Sequence, residues 1–217
     1  NHQSRGDGYA SRLFRDPRDI IECHGPEQVD ACFGRLSAGL VAGLHAVGLF
    51  GYDLGYCLEN SLRALGQRDP ASPLFTVVLF RQCHDLTAEQ SDALIRDHLD
   101  PAVPAAFYNL RPSLPRPEYF KAVRRINDYI RAGDVYQVNF TFQYRFRHLG
   151  SPLALYAALR GRQRVPYGAF IRLPGRSVLS LSPELFFRKD GDILTAKPMK
   201  GTMPRGKNQA ADALLRA

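Results

Sequence analysis

Two residues near the C-terminal end could do chemistry together, Glu184 and Lys200. A lysine amine is a nucleophile only when deprotonated, which burial or a neighbouring cation can arrange. A carboxyl beside it can act as general acid toward a departing hydroxyl. Spacing brings the two together. Glu184–Arg188 and Asp192–Lys197 read as strands joined at Asp190-Gly191. A two-residue loop there pairs Lys189 with Asp192 and sets Glu184 opposite Lys197. Lys200 follows three residues on, in Pro198-Met199-Lys200-Gly201-Thr202, within about 10 Å of extended chain. A slip of one residue in this register would move both side chains. On spacing alone, a surface ion pair between Glu184 and Lys197 outweighs catalysis.

The elements that must hold this hairpin are legible upstream. Val29, Phe33, Leu36 and Leu40 recur at helical spacing within 26–40. His45–Phe50 and Leu74–Phe80 read as buried strands. Thr87 and Gln90 make a capping box for a helix running to about Leu99. Pro101 to Pro117, rich in proline, reads as a connection between two halves, 1–115 and 116–217. Tyr119, Val123, Ile126 and Ile130 mark one helical face, ended by Gly133. From Tyr136 to Arg147 aromatic and aliphatic residues alternate with polar ones, the period of a long half-buried strand. Ser151-Pro152 starts a helix ending near Gly161. Tyr167–Leu173 turns at Pro174-Gly175 into Ser177–Leu181. Tight hairpins without crossover helices predict an α+β fold with mainly antiparallel sheets and packed helices.

Composition narrows the class. The 217 residues are 45% hydrophobic and 23% charged, with a net charge of +8. That is the profile of a soluble globular chain. No stretch approaches the roughly 18 apolar residues of a membrane span, and Asn1 to Asp7 has no apolar leader. Lys and Arg are scattered, which suits a solvated surface and an anionic small substrate better than nucleic acid. Cys23, Cys32, Cys57 and Cys83 have no zinc spacing and read as free thiols of a reducing cytosol. The six histidines have no metal spacing either. Gly201 to Gly206-Lys207 nearly makes a phosphate loop, but Asn208 stands where a Ser or Thr would ligate Mg²⁺. Gly48, Gly51 and Gly55 read as a turn and close packing.

Longer motifs carry a resemblance. INDYIRAGDVYQVNFT (126–141), LSLSPELFF (179–187) and KPMKGTMPRG (197–206) resemble successive signatures of the chorismate-binding family. DPRDIIEC (16–23) and GLFGYDLGYCLE (48–59) resemble the amino-terminal part of its aminodeoxychorismate synthase component I branch. The resemblance implies a partial anthranilate synthase component I-like fold. It also implies conversion of chorismate and ammonia to 4-amino-4-deoxychorismate, for 4-aminobenzoate and folate synthesis. Lys200 is then the nucleophile and Glu184 the general acid. Gly201 permits close approach of the backbone to substrate, and the Thr202 hydroxyl donates to a carboxylate. Anthranilate synthases usually carry Ala before the Gly-Thr pair, where this chain has Lys200. A glutaminase subunit would supply the ammonia, Mg²⁺ would bridge the substrate carboxylate to acidic side chains, and the location would be cytoplasmic.

The family is usually about twice as long. Its later segment, with Mg²⁺-ligating carboxylates and a His, a Tyr and an Arg that hold substrate, has no counterpart before Ala217. The expectation is a truncated chain, inactive alone, with no metal ligand of its own. An L-L-E-S-like tryptophan motif is not seen. Two alternatives stay open: an anthranilate synthase component I-type enzyme, and an inactive chorismate-fold or glutaminase-partner module. Retention of both Glu184 and Lys200 argues against the second.

Overall fold

The computed structural model describes residues 11–65, 72–163 and 165–198. The chain divides between Ser91 and Asp92 into two compact units.

The first unit is a three-stranded antiparallel sheet with one helix laid on it. Its elements are β1 (Ser11–Cys23), α1 (Val29–Val41), β2 (His45–Phe50), a short α2 (Leu54–Leu58) and β3 (Phe75–Leu86). The strand order is β1-β3-β2, so β3 is central. Five consecutive residues of β3, Phe75 to Leu79, are buried, as a central strand of β-branched and aromatic residues should be. Ile21, Cys23, Val29, Cys32, Leu54, Leu74, Phe75, Val77 and Leu79 form one apolar core. Phe33 of α1 stacks on Phe75 with ring centroids 5.0 Å apart.

The α1 stripe differs from its expected form in one place. Leu40 is half exposed, and Gly39 takes the inward position. A Cβ at Gly39 would stand 2.4 Å from Leu79 Cδ1, so the bare glycine lets the helix close on the sheet. Three of the four cysteines belong to this core or lie against it, all as free thiols. Burial, with the neighbouring Cys32 thiol adding to it, pushes the Cys23 thiol up to about 11.

Strand β1 was not expected from sequence. It carries Pro17 and a run of charges, and its register shifts between Pro17 and Asp19. Those are edge-strand features: proline cannot donate to a ladder, and bulges and charges blunt an edge. Asp16, with φ 57°, pairs with Arg81 across the strands at 3.3 Å.

Helix α3 (Ala88–Asp97) follows. The Thr87 N–H donates to Gln90 Oε1 at 2.8 Å, and the Gln90 N–H to Thr87 Oγ1 at 3.2 Å, the reciprocal box that the sequence predicts.

The second unit is looser. Its described elements are β4 (Ala106–Pro112), α4 (Arg116–Ala132), β5 (Tyr144–Leu149), α5 (Pro152–Arg162), β6 (Tyr167–Leu173), β7 (Arg176–Ser182), β8 (Leu185–Asp190) and β9 (Ile193–Lys197). They form three antiparallel ribbons, β4-β5, β6-β7 and β8-β9. Helix α5, capped by the Ser151 hydroxyl accepting from the Ala154 N–H at 3.1 Å, packs on β6 and β7. Its buried Tyr156 lies 5.8 Å from Phe170, ring to ring. Arg160 of α5 pairs with Asp92. Helix α4 has the expected half-buried Val123 and Ile126 and ends on Gly133 at φ 80°.

Two expectations are corrected here. The proline-rich connection contains a strand, β4. The long strand expected over 136–147 is ordered as strand only from Tyr144, and Tyr136 is 92% exposed. Alternation supplies the side-chain pattern, but a strand also needs a ladder. The last rung is Pro112↔Tyr144. Beyond Pro112 the chain turns away into α4, after Ser113 has taken both backbone groups of Gln143, at 2.7 and 3.0 Å.

The class stands as expected: mixed helix and strand, with small antiparallel sheets. No helix among the described residues is long and apolar enough to cross a membrane.

Candidate active site

The β8-β9 hairpin is present, with its two-residue loop one position along from the expected one. Asp190 pairs with Ile193 and Lys189 with Leu194, so the loop is Gly191-Asp192. Gly191 has φ 55°. A positive φ at the first loop position suits glycine and gives a hairpin turn that matches strand twist. That preference draws the loop one residue along. The Lys189 ammonium donates to the Gly191 carbonyl at 2.7 Å and holds the turn.

At the far end a register shift between Leu185 and Arg188 absorbs part of the change, and the last pair is Leu185↔Lys197. Lys197 therefore stands opposite Leu185, and Glu184 sits one residue before that pair. The two remain at the same open end of the hairpin, but they are not paired in the ladder.

Glu184 is exposed and ends the corner between β7 and β8. Ser182 fixes its backbone. The Ser182 hydroxyl donates to the Glu184 carbonyl at 3.0 Å and accepts from the Glu184 N–H at 3.3 Å. This positioning residue was missed in the sequence, although Ser-Pro-Glu is the kind of segment in which a serine ties the backbone two residues on.

Lys200, Gly201 and Thr202 lie outside the described residues. Among the described residues no three His, Cys, Asp or Glu side chains gather into a cluster that could hold a metal ion.

The pattern of the chorismate binding enzyme family matches residues 7–217, and the chain belongs to that family. It is 35% identical over 185 residues to aminodeoxychorismate synthase component 1 of Klebsiella aerogenes, across 78% of this chain and 41% of that one. It is 29% identical over 175 residues to the protein of that name from Escherichia coli, across 74% of this chain and 38% of the relative. Anthranilate synthase component 1 of Pseudomonas aeruginosa is 30% identical over 203 residues, again across 78% and 41%. The chain thus spans about 40% of the length of these relatives.

Proposed function

We propose that the chain is part of an aminodeoxychorismate synthase component I, which converts chorismate and ammonia to 4-amino-4-deoxychorismate on the way to 4-aminobenzoate and folate. The observation that carries the reading is the sequence Lys200-Gly201-Thr202, three residues after Lys197, which itself pairs with Leu185 next to Glu184. The relatives named for this activity support it, since they match about three quarters of the chain.

In this reading the neutral Lys200 amine adds to ring carbon C2. Both ring double bonds shift, and the C4 hydroxyl leaves as water with a proton from Glu184. Ammonia then adds at C4, both double bonds shift back and the C2–N bond to lysine breaks. The proton lost by the new amine returns through the Glu184 carboxylate. Ser182 keeps that carboxylate on its corner, while Gly201 and Thr202 receive the substrate. Mg²⁺ is part of the proposal as the family's cation, with ligands from outside the described residues. The ammonia would come from a glutaminase subunit, and the setting would be the cytoplasm.

The test is product analysis of the full-length protein with chorismate, ammonium and Mg²⁺. The para-substituted amine is expected, and Lys200→Ala should lower its formation by at least about a hundredfold. Glu184→Gln should cost about 10²–10⁴-fold. Near-normal turnover by Lys200→Ala sinks the lysine mechanism. The ortho isomer would instead support an anthranilate synthase, the reading that the Pseudomonas aeruginosa relative favours.

A further inference from the structure

Cys23 and Cys32 meet in the core of the first unit. Cys23 is the last residue of β1 and shares its inward face with Ile21, two positions back. Cys32 lies near the start of α1, on the buried stripe with Val29 and Gly39. Both are sealed from water, with 0% and 6% of their surface exposed. The Cys32 thiol donates to the carbonyl of Glu22, the residue just before Cys23, at 3.9 Å. The Cys23 thiol donates to the Gly25 carbonyl at 3.4 Å, on the connection that leads to α1. Burial, and then the Cys32 thiol within hydrogen-bonding reach, pushes the Cys23 thiol up to about 11.

The third thiol at this core is turned elsewhere. Cys57 packs against the cluster, but its thiol donates to the Asp53 carbonyl at 3.7 Å, one turn back along its own helix. It is the weakest of the influences on the Cys23 thiol. A disulfide forms without backbone movement only between cysteines whose side chains already face each other. Cys23 and Cys32 meet that condition, and the rest of the core around them is apolar.

We propose that Cys23 and Cys32 form a redox latch, which a small-molecule disulfide closes into one intramolecular bond between β1 and α1. One protein thiolate attacks the S–S bond of the reagent, giving a mixed disulfide and releasing one small thiol. The second protein thiolate attacks the protein sulfur of that mixed disulfide and releases the other small thiol. The two protons pass to the released thiols. The protein sulfurs lose two electrons and the reagent gains them. The second step is fast because the resolving thiol stands beside the intermediate at a high effective concentration. The apolar surroundings disfavour thiolates and keep the pair reduced until the reagent gains entry. The latch would operate whatever reaction the second unit serves.

The experiment incubates the full-length protein, without denaturant, with excess bis(2-hydroxyethyl) disulfide. Remaining thiols are then blocked and the tryptic peptides weighed. Residues 19–35 lie between Arg18 and Arg35, so one peptide holds Cys23 and Cys32 and neither of the other two cysteines. That peptide should be lighter by two hydrogens and carry no blocking group. It should exceed mixed disulfides on the same peptide by at least about tenfold, and dithiothreitol should return both thiols. The double variant Cys57→Ser with Cys83→Ser should form the bond equally well, because those thiols take no part. The denaturant midpoint of the first unit should rise with the bond and fall back on reduction. Two thiols that both stay free to be blocked overturn the latch, as do mixed disulfides in excess or a bond from Cys23 to Cys57. A midpoint that is unchanged or lowered in the bonded form overturns it too.

Discussion

The two units of this chain are held together differently. The first has one sheet, a helix across it and a core in which Phe75, Val77, Ile21 and Cys23 have lost nearly all contact with water. In the second, Leu155, Tyr156 and Leu173 are the buried apolar residues among those described, and α4, β4 and β5 bury none fully. Aromatic residues are not scarce there. Phe107, Phe140, Tyr144, Phe146 and Phe187 are all more than a third exposed. Apolar content therefore does not make a core. A core needs elements that close on one another, as α1 closes on β3 at Gly39, and separate ribbons do not supply that closure.

The sharpest way to break the comparison is to remove one aromatic ring from each unit. Phe75→Ala should cost about 3–5 kcal/mol of stability, read by denaturant unfolding of the first unit. Phe187→Ala, at a half-exposed position, should change stability by less than about 0.5 kcal/mol. Equal costs would refute the contrast. A smaller effect is expected at Gly150, where φ is 77° and a Cβ would lie 3.0 Å from the Pro104 carbonyl oxygen. Gly150→Ala should cost about 1–3 kcal/mol, showing that the second unit is rigid where backbone approaches backbone. A neutral result would mean that even this contact yields. An effect smaller than that at Gly150 belongs to the box at the start of α3. Thr87→Ala should cost about 1 kcal/mol, measured by thermal melting, with Thr87→Ser close to wild type.

Legibility in the sequence followed the same division of causes. Signals contained in a few neighbouring residues came through as expected: the Thr87–Gln90 box, the Ser151 cap, the Gly133 stop and the Pro174-Gly175 hairpin. Features that depend on a partner elsewhere in the chain did not. Strand β1 hides behind Pro17 and its charges because its strand character comes from pairing with β3. The stretch before Tyr144 has a strand's alternation but no rung beyond Pro112. At the candidate site, the hairpin and the place of Glu184 at its open end were legible. The register was displaced, because the sequence does not say which two of Asp190, Gly191 and Asp192 form the loop, and the conformation of Gly191 decides it. Ser182 went unnoticed because its contribution is to the backbone of Glu184 rather than to chemistry.

The sealed thiols of the first unit have one more consequence. Cys23 and Cys32 are buried, whereas Cys57 and Cys83 are partly open to solvent. A maleimide dye would therefore mark Cys57 and Cys83 promptly. It would reach Cys23 and Cys32 only in those moments when the sheet and α1 come apart. The slow labelling phase, followed by peptide mass mapping, would time the breathing of this half of the molecule without any introduced probe. The fast phase would serve as its internal clock.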